Sequence, residues 1–119
     1  MAAAGRNKSL LANTAIEQKK FMYRLDDLIR LLASDAADEL SIRIESPPII
    51  IFEGVSHSIE GPAITPEDAE RLVREITDTR QRRELKEKNI IQFIYRFQQA
   101  TDFLVEVRLE GGTPFIKIV

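Results

Sequence analysis

Cysteine and tryptophan are absent from this chain, histidine occurs once, and glycine and proline occur five times each. Without a thiol there is no disulfide framework, no thiolate metal site and no cysteine nucleophile. A cysteine-free composition also suits a reducing compartment, and the expected location is the cytoplasm. The few glycines are scattered, and none stands in a Gly-x-x-x-x-Gly-Lys-Ser/Thr run. Such a loop needs glycines so that the backbone can approach a phosphate, and a lysine to reach it. Gly111-Gly112 is followed by Thr113-Pro114, where the proline removes an amide that a phosphate nest would use. The sequence therefore carries no nucleotide-hydrolysing motif.

Metal and acid–base chemistry are equally thin. His57 stands in Val55-Ser56-His57-Ser58 with no second ligand at a metal-binding spacing. As a general base it would have Glu53 or Glu60 to orient it, but only the turn residues Ser56 and Ser58 as nucleophiles. Neighbouring carboxylates occur at Asp26-Asp27, at Asp35, Asp38 and Glu39, and at Glu67-Asp68. A loop before a strand explains the second group, and the positive end of a helix dipole explains the last. No catalytic, cofactor or metal residues are expected.

The chain has 119 residues and a formal net charge of −2, enough for one domain and too little charge to attract nucleic acid or an anionic membrane. No run approaches the ~20 apolar residues of a membrane span, so direct membrane insertion is not expected. Residues 1–20 read as a leader, disordered or extending a helix, and 21–119 as one domain. The apolar stretch at Leu10-Leu11 is far shorter than the ~7–15 residues of a signal-peptide core.

The domain alternates between two periods. From Thr14 to Ala33, Phe21, Leu25, Leu28, Ile29 and Leu32 form one helical stripe. Leu40, Ile42 and Ile44 alternate with polar residues as a half-buried strand. Pro47-Pro48 makes an extended connection to Ile49–Phe52, which ends at a Glu53-Gly54 turn, and a short strand spans Ser56 to Glu60. Thr65-Pro66-Glu67-Asp68 is a helix start with a capping box in which Asp replaces the usual Glu or Gln. Ala69, Leu72, Val73 and Ile76 supply its stripe. A second helix runs from Thr79 to Lys88 behind the cap Asp78.

Strands then carry Ile91, Phe93, Tyr95 and Phe97 inward, and Phe103, Val105, Val107 and Leu109 inward. Gly111-Gly112 offers the positive φ angles of a tight hairpin into the last strand, Pro114–Val119. The sum is α+β: an antiparallel sheet of five or six strands with helices packed on one face.

The charged run Arg80 to Lys88 is the candidate surface. As a solvated helix face it would carry Arg83–Glu87 and Glu84–Lys88 pairs. As a docking helix it would meet an acidic protein partner through Arg80, Arg82 and Arg83, with Arg71 and Arg74 nearby. Acidic residues interleave the basic ones, which disfavours nucleic acid.

From about Leu25 to Val119 the chain resembles the N-terminal domain of the PilT/type II–IV secretion ATPase family. The residues that carry the likeness are Ala37 to Ile42, Pro47 to Gly54, Ile64 to Ile76, and Thr79-Arg80-Gln81-Arg82-Arg83-Glu84-Leu85. The resemblance implies a PAS-like, six-stranded module that packs on a neighbouring subunit's ATPase domain and helps assemble a hexameric ring. It also implies basic residues on a late strand that face the nucleotide. Two positions depart from the family pattern. Ser41 stands where the first strand has histidine, and Asp102-Phe103-Leu104 stands where a late strand has Arg-Phe-Arg. Arg96 and Arg108 are the candidate substitutes.

The resulting expectation is a cytoplasmic, non-catalytic protein-interaction domain of the type IV pilus, twitching-motility or secretion kind, without the ATPase domain. It would dock on a PilT/GspE-type ATPase or form a homo-oligomer. The alternatives are a PAS-like small-molecule sensor and a fragment of a full-length PilT-like ATPase. The large inward residues Phe93, Phe97, Phe103, Ile42 and Ile44 argue against the sensor, because they would fill its cavity.

Overall fold

The apolar stripe Leu25, Leu28, Ile29 and Leu32 folds as helix α1 (Leu25–Ser34), and all of these side chains are buried. The structure, a computed structural model, describes residues 22–34 and 36–119. Phe21, the leader and the expected helical stretch from Thr14 lie outside the described residues. Residues 22–24 are not helical, so α1 begins later than the periodicity predicts. Tyr23 supplies the reason: its ring is buried in the core and its hydroxyl donates to the Pro62 carbonyl. Tyr23 is thus held by a tertiary contact rather than by the helical period.

Three strands follow as a meander: β1 (Glu39–Arg43), β2 (Ile49–Phe52) and β3 (Val55–Ser58). The third starts one residue before the expected Ser56, because Glu53 and Gly54 close a two-residue turn that pairs Phe52 with Val55. Their φ angles are 52° and 81°, the left-handed pair whose twist suits a hairpin. β3 stops at Ser58 because the next partner in register is Pro48: the Ile59 amide still donates to its carbonyl at 2.8 Å, but proline has no N–H to return the bond.

Both later helices start on reciprocal caps. The Asp68 amide donates to the Thr65 hydroxyl and the Thr65 amide to the Asp68 carboxylate, each at 3.0 Å. This opens α2 (Pro66–Ile76). The Gln81 amide donates to the Asp78 carboxylate at 2.7 Å and the Asp78 amide to the Gln81 side-chain oxygen at 2.9 Å, opening α3 (Thr79–Lys88). Each box satisfies two donors that a helix start leaves unpaired. α3 ends on Asn89 in the left-handed region at φ 66°.

The second meander comprises β4 (Ile90–Phe97), β5 (Thr101–Glu110) and β6 (Thr113–Ile118). Gly111 and Gly112, at φ 60° and 82°, close its second hairpin. The strands form one six-stranded sheet in the order β3-β2-β1-β6-β5-β4, with every neighbouring pair antiparallel. The two meanders therefore meet in the middle. β6 lies against β1, with Leu40 opposite Ile118 and Ile42 opposite Ile116.

One face of the sheet is the core. Leu40, Ile42, Val105, Val107, Ile116 and Ile118 are at most 1% exposed. α1 packs on β1, α2 on β6, and α3 on β4 and β5. Leu28, Ile29, Leu72, Val73 and Leu85 complete the cluster. Phe97 and Phe103 meet edge to face with centroids 6.5 Å apart. The expected α+β architecture, with helices on one face, is the one observed. Burying each of these large side chains contributes roughly 1.5–3 kcal/mol.

In urea unfolding, Thr65→Ala and Asp78→Ala are each expected to lower stability by about 1 kcal/mol through loss of a cap. Ile116→Ala, at the centre of the sheet, is expected to cost about 2–5 kcal/mol.

Candidate functional site

The basic residues singled out in the sequence divide among three settings. Arg82 is a brace between two helices. Its Nη1 donates to the Thr77 carbonyl at 2.8 Å, to Thr77 Oγ1 at 3.1 Å and to the Arg74 carbonyl at 3.4 Å. Its Nη2 reaches the Thr79 hydroxyl at 3.4 Å. These carbonyls lie at the C-terminal end of α2, which carries the negative pole of the helix dipole. Arg71 is held between Asp68 and Glu75, at 3.3 Å from each. It lines a cleft of about 450 Å³ with Arg24, Asp26, Glu75 and Tyr95. Burial pushes the Tyr95 hydroxyl pKa up, and the Asp26 and Glu75 carboxylates add to the shift.

Arg74, Arg80 and Arg83 are exposed and make no ion pair among the described residues. Arg80 and Arg83, three residues apart, share one face of α3. Of the two ion pairs expected on this helix, Glu84–Lys88 forms at 3.2 Å. Arg83 and Glu87 form none.

Arg96 and Arg108 lie on the other side of the molecule, on the sheet face away from the helices. Arg96 donates from Nε and Nη2 to the two Asp102 oxygens at 2.8 and 3.3 Å. This bond raises the Arg96 pKa and holds the Asp102 carboxyl below its usual range. The Phe115 ring lies beneath two guanidiniums, with Arg43 at 4.4 Å and Arg108 at 5.5 Å from its centroid. Arg43 also reaches Glu110 at 3.3 Å. Glu106 accepts from Gln92 at 2.9 Å and from Arg108 at 2.7 Å. The Gln92 bond lowers the Glu106 pKa against the effect of burial, and the Arg108 and Lys117 charges lower it further. The Nε of Arg108 is buried without a hydrogen-bond partner among the described residues.

This open-face network has no sequence motif. It is built by register, with Ser41, Lys117, Glu106 and Gln92 in one cross-strand row and Arg43, Phe115 and Arg108 in the next. Alternation in β5 and β6 marks the outward positions, but only strand order brings them together. The stretch Asp102-Phe103-Leu104 points Phe103 into the core and leaves Asp102 and Leu104 exposed. Ser41 lies on the open face. His57 is exposed on β3, opposite Ile50, and lines a groove of about 420 Å³ with Ala37, Ile50 and Phe52. No helix among the described residues is long and apolar enough to cross a membrane.

Two measurements separate bracing from surface charge. Arg82→Ala is expected to lower stability by about 1 kcal/mol, whereas Arg83→Ala is expected to stay within ~0.5 kcal/mol of the parent. Because the Glu106 pKa is depressed in the folded state, its stabilisation is present above its unfolded value and lost as pH falls through the folded one. Gln92→Ala is expected to move the Glu106 carboxyl titration, followed by NMR, upward toward the ordinary carboxylate range.

No protein-family model matches the chain, and no curated protein matches it. Solved structures do. The chain superposes on the pilus retraction motor PilT with bound ADP at a TM-score of 0.73 and 18% identity, covering 81% of this chain and 28% of that one. The ATPase DotB of Legionella pneumophila matches at 0.64 and 17% identity, over 82% of this chain and 28% of the other. DotB of Yersinia pseudotuberculosis matches at 0.63 and 14% identity, over 82% and 30%. The chain thus spans less than a third of the length of these ATPases. It carries the fold expected from its resemblance to their N-terminal domain.

Proposed function

We propose that this chain is a non-catalytic protein-interaction and assembly domain that docks on a motor ATPase of the pilus-retraction or secretion type. The observation that carries this reading is the fold likeness to PilT, which covers 81% of this chain. The sequence supports it from the other side, since no Gly-x-x-x-x-Gly-Lys-Ser/Thr run accompanies the fold. A domain with this fold and no phosphate loop contributes surface rather than hydrolysis. The cytoplasm, where such motors consume nucleotide, is the compartment this reading requires.

The docking surface is assigned to α3. Arg80 and Arg83 are exposed there, and Arg74 is exposed on the adjacent helix. None of the three side chains forms an ion pair among the described residues, so their charge is available to an acidic patch at no cost in broken pairs. Arg82 and Arg71 are committed to internal bonds and position this surface rather than compose it. Arg96 and Arg108 lie on the opposite sheet face, and a partner reaching them would be a different one or a much larger one.

The test is capture from native lysate by the tagged chain, with the retained proteins identified by mass spectrometry. An ATPase is expected among them, and Arg80→Glu with Arg83→Glu is expected to reduce its recovery about tenfold. Equal recovery by the charge-reversed variant would remove α3 as the docking surface.

A further inference from the structure

The two ends of the sheet are not alike. β3, at one end, has four residues, is bounded by the Gly54 turn and is exposed throughout. β4, at the other, has eight residues, Ile90–Phe97, and contains no proline, glycine or lysine. Natural sheets blunt their free edges with short strands, prolines, bulges or lysines, because an open edge is a template for another strand. β4 has none of these devices. Its one cation, Arg96, is neutralised by Asp102.

The hydrogen bonds fix which backbone groups face outward. The amide and carbonyl of Leu104 both bond Val119, at 3.0 and 2.9 Å, and so point away from β4. Ile94, paired with Leu104, therefore directs its own N–H and C=O to the free edge. By alternation Gln92 and Arg96 do the same. None of these groups has a backbone partner among the described residues.

We propose that β4 is the seam of a homodimer, pairing antiparallel with β4 of a second copy about a two-fold axis at Ile94. The argument for a second copy is the self-complementarity of this edge. Ile94 is 62% exposed, and its row continues through Leu104 and Val119, 43% and 41% exposed. Pairing about Ile94 joins that row to its own image as one apolar band across the dimer. The next row runs Lys117, Glu106, Gln92 and meets Arg96 and Asp102 of the second copy, so that charges alternate in sign across the seam. On the helix side Phe93 faces Tyr95 and Ile91 faces Phe97. Shifting the axis to Phe93 would set Ile94 against Gln92 and Ile90 against Arg96, which breaks both matches.

This seam specifies the assembly half of the proposed function and uses none of its docking residues. The absence of cysteine gives a direct test, because Ile94→Cys carries a single thiol. Opposed residues of a bonded antiparallel pair have Cα atoms about 5.5 Å apart, within the ~4.4–6.8 Å that a disulfide spans. Mild oxidation is expected to convert this variant to a covalent dimer, and Ser58→Cys on the other edge is expected to remain monomeric. Sedimentation equilibrium of the parent from micromolar to near-millimolar concentration is expected to show a monomer–dimer equilibrium, and Ile94→Lys to weaken it at least about tenfold. Circular dichroism of Ile94→Lys checks that the variant is folded.

A parent that stays monomeric throughout overturns the proposal. So does a dimer untouched by Ile94→Lys, or equal cross-linking at positions 58 and 94. Retained ATPase capture with no dimer would sink the seam alone, and a dimer with no ATPase capture would sink the docking reading alone.

Discussion

The pairing of β6 with β1 is the contact on which the rest of the molecule depends. Each meander is local, made by hairpins or short connections, and each alone would be a three-stranded sheet with one wet apolar face. β6, the last of the described strands, lies beside β1, the first of them, and turns two such sheets into one. At that junction Leu40, Ile42, Ile116 and Ile118 are essentially inaccessible to water. Their burial is worth roughly 1.5–3 kcal/mol per side chain. The helices follow from it, because α1 covers β1 and α2 covers β6 from the same side. Cutting the junction would leave both helices without a continuous surface to pack on.

Local chemistry made most elements legible in the sequence. Thr65-Pro66-Glu67-Asp68 and Asp78 announce their helices because a helix start needs side-chain acceptors. Glu53-Gly54 and Gly111-Gly112 announce their turns because a two-residue hairpin needs positive φ. The turn after β4 was silent: Gln98 and Gln99 adopt φ 53° and 56° with no glycine to signal it. The apolar stripe continues upstream of α1, yet residues 22–24 are not helical and Tyr23 is held by a tertiary contact to Pro62 that no local period signals. Strand order was beyond reach of any local rule, since it rests on a pairing between residues 40–43 and 115–118.

The same distinction applies to the candidate site. A run of arginines reads as one surface, yet side chains on one helix face different neighbours. Arg82 looked like part of a basic patch and is instead the clamp on the C-terminal end of α2. Arg80 and Arg83 kept the solvent-facing role. The open-face network of Arg43, Phe115, Arg108 and Glu106 joins three strands, so its members are neighbours only once β6 sits between β1 and β5. What results is a board with two distinct sides, α3 charge over one and the paired ladder on the other. Likeness to the solved ATPases gives the fold alone, and recognition resides in these surfaces.

Native-state hydrogen exchange tests the central junction most directly. If β6 joins the two meanders into one cooperative body, the amides of β1 and β6 exchange only through global unfolding. Their opening free energies then equal the value from denaturant unfolding. The contradicting result is a sub-global opening in which β1, β2 and β3 exchange together at about 2 kcal/mol or more below the value for β4, β5 and β6. That would make the sheet two units in contact rather than one.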